Sequence, residues 1–252
     1  MRKRERRPQS GHIAAILLAA TVLTTIALAA ESEKISLVGS DLSAWRRDTG
    51  DWQIVGDVKL DSADNQKLVA IGGTGAVVNG PSGRTRHLIS KQEHGDVEAH
   101  IEFVVPKGSN SGIYFQGRYE IQILDSWGVE PEQLKHGDCG GIYQRWDQRR
   151  KPPGYEGHPP RMNASLPPGE WQTYDVVFHA PRFDADGNKV ANAKFVKVLH
   201  NGKLVHEDVE VTGPTRAAAF NDEKPTGPLI LQGDHGPVAY RNTWLRPIMP
   251  GK

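Results

Sequence analysis

The sequence predicts an all-β fold, a sandwich or jelly roll of two antiparallel sheets joined by long loops. Short segments rich in Val, Ile, Tyr, Phe and Trp recur along the chain, which is how strands read. The 27 glycines and 17 prolines fall between them, where turns need their special backbone angles. No segment keeps a 3.6-residue apolar period over three turns, so helices are not expected.

The expected strands are Trp52–Val55, Leu68–Ala70, Val97–Val104, Gly112–Leu124, Gly140–Tyr143, Thr173–Ala180, Lys194–Leu199, Lys203–Val211, Pro228–Gln232 and Val238–Leu245. Asn201-Gly202 stands between two of them, the strongest short-range hairpin signal. Asp184-Ala-Asp-Gly187 reads as another turn, since the remaining ligands of a calcium loop are missing. Residues 130–136 are expected to hold one helical turn. Trp45, Trp52, Trp171 and Trp244 have apolar strand surroundings and are expected in the core.

Residues 1–30 read as a cleaved export signal. Arg2, Lys3, Arg4, Arg6 and Arg7 precede an apolar run from Ile13 to Ala30 that ends on small residues, the pattern of a secretory leader. A retained membrane anchor is the competing reading of a run this long. Arg6-Arg7 hints at twin-arginine export, without the usual continuation. The expected location is periplasmic or secreted, with no membrane span after cleavage. Residues 31–252 are then one β domain.

The full chain carries 31 basic and 30 acidic residues, a formal charge of +1. The leader takes five basic residues and one acid with it, which leaves 26 and 29, a charge of −3. Nothing in that remainder suggests a nucleic-acid patch. Cys139 is the single cysteine, so no internal disulfide is possible.

The most informative stretch is Gly112–Asp125. On a strand one face would carry Ile113, Phe115, Tyr119, Ile121 and Ile123, and the other Tyr114, Gln116, Arg118, Glu120 and Gln122, because side chains alternate. The second row is polar throughout. A solvated outer face would explain it, but Arg, Gln, Tyr and Glu make directional hydrogen bonds and stack on sugars. Asp125 and Trp127 follow. The rhythm of Glu120-Ile-Gln-Ile-Leu-Asp125 is similar to the acidic strand of laminarinase-type sandwich glycosidases. Gln122 replaces its middle carboxylate, which puts the ordinary two-carboxylate mechanism in doubt.

Further candidates lie downstream. Gln232-Gly-Asp-His235 ends a strand, where Asp234 and His235 suit a general base, an orienting pair or a metal site. Asn163 sits in a Pro-rich loop and would bind hydroxyls or cap a turn. Tyr143, Trp127, Trp146 and Tyr155 offer stacking walls.

These motifs, in order, resemble the 3-keto-disaccharide hydrolase domain family. The resemblance rests on Leu42–Trp45, Asp51-Trp52, Gly108–Asp125, Gly140–Tyr143, Asn163–Ser165, Pro168–Asp175, His200–Gly202, Gly227–Gln232, Asp234–Gly236 and Arg241–Trp244. It implies a concanavalin-like jelly roll. It also implies a substrate already oxidised at C3 by a separate sugar 3-dehydrogenase. A C3 carbonyl acidifies the C2 hydrogen, so a base, an acid and a stabiliser of the enediolate would complete a β-elimination and hydration. In that scheme His235 held by Asp234, or Glu120, is the base. Tyr143 or Asp125 protonates the departing group. Arg118, Gln122 and a divalent cation (Ca, Mg or Mn) at Asp234 and His235 stabilise the enediolate. Tyr114, Gln116, Trp127, Trp146, Asn163 and Gln232 bind sugar, and no organic cofactor is expected. The competing readings are a lectin-like binding module, an ordinary endo-glucanase, and a structural envelope protein.

Overall fold

The sequence's alternating segments sort into two facing sheets and two two-stranded ribbons in a computed structural model, which describes residues 32–249. The expected leader, residues 1–30, lies outside the described residues. The strands are β1 (Ile35–Ser36), β2 (Gln53–Leu60), β3 (Leu68–Val78), β4 (Leu88–His94), β5 (Val97–Val104), β6 (Asn110–Phe115), β7 (Tyr119–Leu124), β8 (Arg145–Trp146), β9 (Gly154–Tyr155), β10 (Gln172–His179), β11 (Arg182–Phe183), β12 (Lys189–Ala191), β13 (Ala193–His200), β14 (Lys203–Val211), β15 (Gly227–Leu231) and β16 (Ala239–Pro247). One 3-10 turn, Pro131–Gln133, lies inside the expected helical turn. Among the described residues no helix is long and apolar enough to cross a membrane.

The larger sheet runs β14-β13-β10-β5-β16-β3-β2, with β1 also on β16. The smaller runs β4-β15-β6-β7. Backbone segments without regular pairing widen it at both edges. Arg46 N donates to Ile89 O at 2.7 Å on one side, and Tyr143 N donates to Glu120 O at 3.0 Å on the other. The core lies between the sheets. Phe103, Tyr174, Phe178 and Phe195 from the larger sheet meet Leu88, Ile113, Phe115, Ile121 and Leu231 from the smaller, all fully buried. Phe178 is the hub, with ring centroids 5.2 Å from both Phe115 and Phe195. Such aromatic pairs add to the area they bury.

Several expectations change here. Gly112–Leu124 is not one strand but the hairpin β6–β7. Arg118 N donates to Phe115 O at 2.9 Å, and Gln116 and Gly117 between them take φ of 53° and 66°. Two positive φ angles are what a type I′ hairpin turn requires. The Asn201-Gly202 turn has the same signature, φ 50° and 74°. Strand β4 was not expected, because its middle, Lys91–Glu93, is exposed and reads as loop. Strand β3 extends well beyond Ala70, since Gly72 and Gly73 face a bulge at Gly56 and do not turn the chain. Gly140–Tyr143 makes only isolated bridges, from Ile142 to Ile121 on one side and to His158 on the other. Trp45 and Trp52 are buried as expected. Trp171, half-buried, packs as expected against a second apolar cluster of Val55, Val58, Ala76, Val78, Val104 and Ala239, with Arg241 over its ring, whereas Trp244 is half-buried on the outer side of the larger sheet beneath Lys34.

Truncating the hub should show how much stability the aromatic contact holds. Phe178→Ala is expected to cost about 3–5 kcal/mol, read as a lower urea midpoint with an unchanged slope.

Candidate active site

The hairpin register fixes which side chains share the outer face of the smaller sheet. Ile89, Ile230, Tyr114 and Glu120 pair across four strands, so they form one row. The next outward row holds Gln232, Gly112 and Gln122, since Gln232 N donates to Gly112 O at 2.9 Å and Gly112 pairs with Gln122. Between the rows, Leu88, Leu231, Ile113 and Ile121 point into the core. Tyr143 stands beside Glu120 because Ile142 next to it is buried in the core.

Tyr114, Glu120, Gln122, Gln232 and Tyr143 line a cleft of about 300 Å³, with Asn110, Arg216, Ala217 and His235 at its sides. Glu120 is its floor, 1% exposed. A Cβ on Gly112 would stand 2.2 Å from Glu120 Oε1, so only glycine there leaves room for the carboxyl. Gln232 Nε2 donates to Tyr114 Oη at 3.2 Å, and the Tyr114 hydroxyl in turn bonds Glu120. Burial lifts the Glu120 pKa from 4.5 to about 8, against the lowering effect of the Tyr114 hydroxyl and with a small push from Asp234. Loss of hydration penalises the ionised form, so this carboxyl is mainly protonated at neutral pH. Burial also pushes the Tyr114 phenol far up, which keeps it a donor. Asn110 Oδ1 and Gln122 Oε1 are buried without a hydrogen-bond partner. Buried acceptors of that kind call for a ligand or water.

The walls are built by loops. Asn79, fully buried, donates through Nδ2 to Gly83 O, Gly233 O and Gly236 O at 2.7–3.0 Å, and accepts from Val238 N. It thereby clamps the loop that carries Asp234 and His235. His235 Nδ1 and Asp234 Oδ1 are 2.5 Å apart on the exposed rim. The opposite wall is a strap between β14 and β15. Its Thr215 N and Ala219 N donate to the hairpin turn at Arg118 O and Gly117 O. Arg118 in turn grips Asp222, with Nη2 to Oδ1 at 2.8 Å. The strap sets Arg216 into the cleft, its guanidinium 4.1 Å above the Trp146 ring. Ala217 beside it is held at φ 61°, a costly conformation for a residue with a Cβ.

The structure therefore gathers Tyr114, Glu120, Gln122, Tyr143, Gln232 and His235, all expected from sequence. It does not bring Gln116 or Arg118 to the cleft. Both lie in the hairpin turn, where Gln116 Nε2 bonds His94 O and Pro225 O. Asp125 braces its own loop by accepting from Gly108 N and Trp127 N. Asn163 Nδ2 donates to Ser126 O and Val129 O, so it supports the loop of Trp127. That tryptophan is 55% exposed and away from the cleft lining. Trp146 flanks the cleft beneath Arg216, and Tyr155 is covered by Arg145 and Arg150. Asp234 lies behind His235, against a neighbouring hollow. Asp234 and His235 offer two donors to a cation. Among the described residues no group of three or more His, Cys, Asp or Glu could hold one. Asn110, Arg216 and Ala217 were missed. Asn110 lies within the quoted Gly108–Asp125 motif but was not singled out, whereas Arg216 carries no sequence signal of its own.

With this geometry established, comparison with known proteins identifies the relatives. The 3-keto-alpha-glucoside-1,2-lyase-like domain matches residues 33–246. The chain belongs to that family. This places it among carbohydrate-active enzymes of the hydrolase or lyase type. It is similar to a crystal structure of a candidate glycosyl hydrolase from Parabacteroides distasonis, at 28% identity and TM-score 0.57, over 85% of this chain and 84% of that one. A second candidate glycosyl hydrolase from the same organism shares the fold at 16% identity and TM-score 0.51, over 86% and 94%. No protein of curated function matches the chain.

Two variants test the floor of the site. Gly112→Ala is expected to displace the Glu120 carboxyl, costing about 1–3 kcal/mol and most of the activity, measured by melting and by turnover. Glu120→Gln should report the buried proton. The folded state holds that proton to about pH 8, while the unfolded chain releases it near 4.5. The parent is thus stabilised by this group below about 4.5 and loses that stability as pH rises through about 8. The variant's melting temperature should gain on the parent's across that window and run parallel above it.

Proposed function

We propose that the protein is an exported enzyme that cleaves 3-keto-glycosides by elimination and hydration. One observation carries the reading: the cleft floor offers a single carboxyl, Glu120, buried and with its pKa lifted by desolvation, and the amide of Gln122 stands where a second carboxylate would. Double displacement at an unactivated glycosidic bond needs a carboxylate pair. Proton transfer at a carbon beside a ketone needs one base, one acid and donors for the developing oxyanion.

In this reading His235 takes the C2 proton on Nε2, because Nδ1 is engaged by Asp234. Negative charge moves to the C3 oxygen, facing the Arg216 guanidinium and the Gln122 amide. The enediolate re-forms the ketone and expels the group on C1, whose oxygen takes the proton of Glu120. Water then adds at C1 and gives a proton to the ionised Glu120, while His235 returns its proton to C2. The sum is hydrolysis, with both groups restored. A protonated carboxyl held in a desolvated site is a known way to keep an acid ready at neutral pH. The substrate must come from an oxidoreductase acting on C3 of the sugar, in the same extracytoplasmic space.

Turnover of a 3-keto-disaccharide but not of its unoxidised parent, with deuterium entering C2 in heavy water, is the expected result. Cleavage of the parent sugar would instead make it an ordinary glycosidase, and binding without turnover a lectin-like module. Chelator is a separate arm: loss of turnover restored by Ca, Mg or Mn would add a cation at Asp234 and His235. Glu120→Gln and His235→Asn should each lower kcat about 10²–10⁴-fold. In the parent, kcat/KM should fall as pH rises through about 8, where Glu120 gives up its proton.

A further inference from the structure

Trp127 is the aromatic side chain that the cleft leaves unused. Every other tryptophan is either buried or has a cation over its ring. Trp45 and Trp52 are buried, and Arg216, Arg241 and Lys34 lie over Trp146, Trp171 and Trp244. Trp127 is 55% exposed, and among the described residues no ring or cation covers its indole. The indole is nevertheless held on a locked turn. Val129 N donates to Ser126 O at 3.1 Å, and Gly128 takes φ 81°, the positive φ that a type II turn requires at its third residue. Asn163 Nδ2, from a separate loop, donates to both Ser126 O and Val129 O. Ser126, fully buried, donates through Oγ to Asp138 Oδ1 and accepts from Cys139 N. A Cβ on Gly128 would meet no atom within 4 Å, so the tip of the turn stands clear.

Leaving so large an apolar ring in water forgoes the stabilisation of burying it, and fixing its backbone in advance lowers the ordering cost of a guest. The surroundings define that guest. An indole face suits the C–H face of a pyranose, and its N–H can meet a hydroxyl. Met162 and Leu166, both exposed, flank Asn163 on the loop tied to this turn, which adds apolar surface to the tied pair of loops. Residues 125–135 hold three carboxylates, Asp125, Glu130 and Glu132, against one cation, Lys135. Arg161 beside Met162 is already ion-paired with Glu207. That excess of negative charge disfavours a polyuronate or an anionic lipid surface. Trp127 also lies outside the lining of the Glu120 cleft, so a sugar on it is separate from the reacting ring.

We propose that Trp127 on its locked turn is a second carbohydrate-binding site, a platform on which one ring of a neutral glycan stacks while the Glu120 cleft stays free. The test is native electrophoresis through gels containing a mixed-linkage β-glucan, a starch-type α-glucan or polygalacturonate. The parent is expected to be retarded by at least one neutral glucan and not by polygalacturonate. Trp127→Ala should weaken the affinity about tenfold, as removal of an aromatic anchor does, and Trp127→Phe should keep part of it. Glu120→Gln should be retarded as the parent is, because the platform does not use the cleft. Absence of retardation in the parent, equal retardation by polygalacturonate, or loss in Glu120→Gln but not in Trp127→Ala would overturn the platform. So would concentration-dependent sedimentation that Trp127→Ala abolishes without any effect on glucan retardation, since the patch would then bind a second copy. Retardation is read without chemistry, so failure of the proposed reaction and failure of the platform are told apart.

Discussion

Everything in the site depends on keeping one carboxyl out of water. Glu120 sits on the open face of a sheet, where a carboxylate would normally be hydrated and ionised. Gly112 on the paired strand lets the side chain lie flat against the backbone, and the Tyr114 hydroxyl, held by Gln232, covers one oxygen. Desolvation then outweighs the hydrogen bond, and the acid keeps its proton. The geometry must be rigid for this, since a small opening would admit water and restore the ordinary pKa. Rigidity comes from behind: Tyr174 of the larger sheet donates to Gln122 O at 2.7 Å, and Ser111 Oγ to Gln232 O at 2.8 Å. Two buried polar contacts thus pin the backbone of the row that carries Gln122 and Gln232 from the core side.

The sheet supplies the floor, but loops supply the reactive walls, and each loop has its own anchor. Asn79 replaces the missing ladder of the loop 233–236 with side-chain hydrogen bonds. Arg118 and the hairpin turn do the same for the strap that carries Arg216. Phe220 of the strap lies against Gly117, where a Cβ would stand 2.6 Å from its ring. The turn glycine therefore serves twice, through its positive φ and through the close approach of the strap. The strained Ala217 next to Arg216 fits a site where surrounding contacts fix an unfavourable backbone.

The polar row of the sequence was legible because a hairpin preserves alternation: Tyr114 and Glu120, or Gly112 and Gln122, still meet on one face after the chain turns. The same alternation misled at Gln116 and Arg118, whose parity matches the row although they occupy the turn. Asp125 also read as a catalytic acid and Asn163 as a ligand for sugar or a turn cap, yet their polar atoms are spent on backbone groups of nearby loops. Such uses look alike in a sequence, because the same donors and acceptors serve a turn or a substrate. Trp244 looked like core, and is instead covered on the outer sheet face by Lys34.

By itself the sequence determined the sandwich class, most strand positions and the hairpin at Asn201-Gly202, because period and turn chemistry are local. It also determined the identity of the floor, since Glu120 and its neighbours form one short contiguous motif. Only the tertiary structure decided that Glu120 is desolvated and its pKa raised, that Gly112 makes its room, and that Arg216 and Asn110 line the same cleft. Those properties arise from desolvation and from contacts between segments far apart in the chain, such as Asn79 with Gly236, 157 residues away, and no local pattern encodes them.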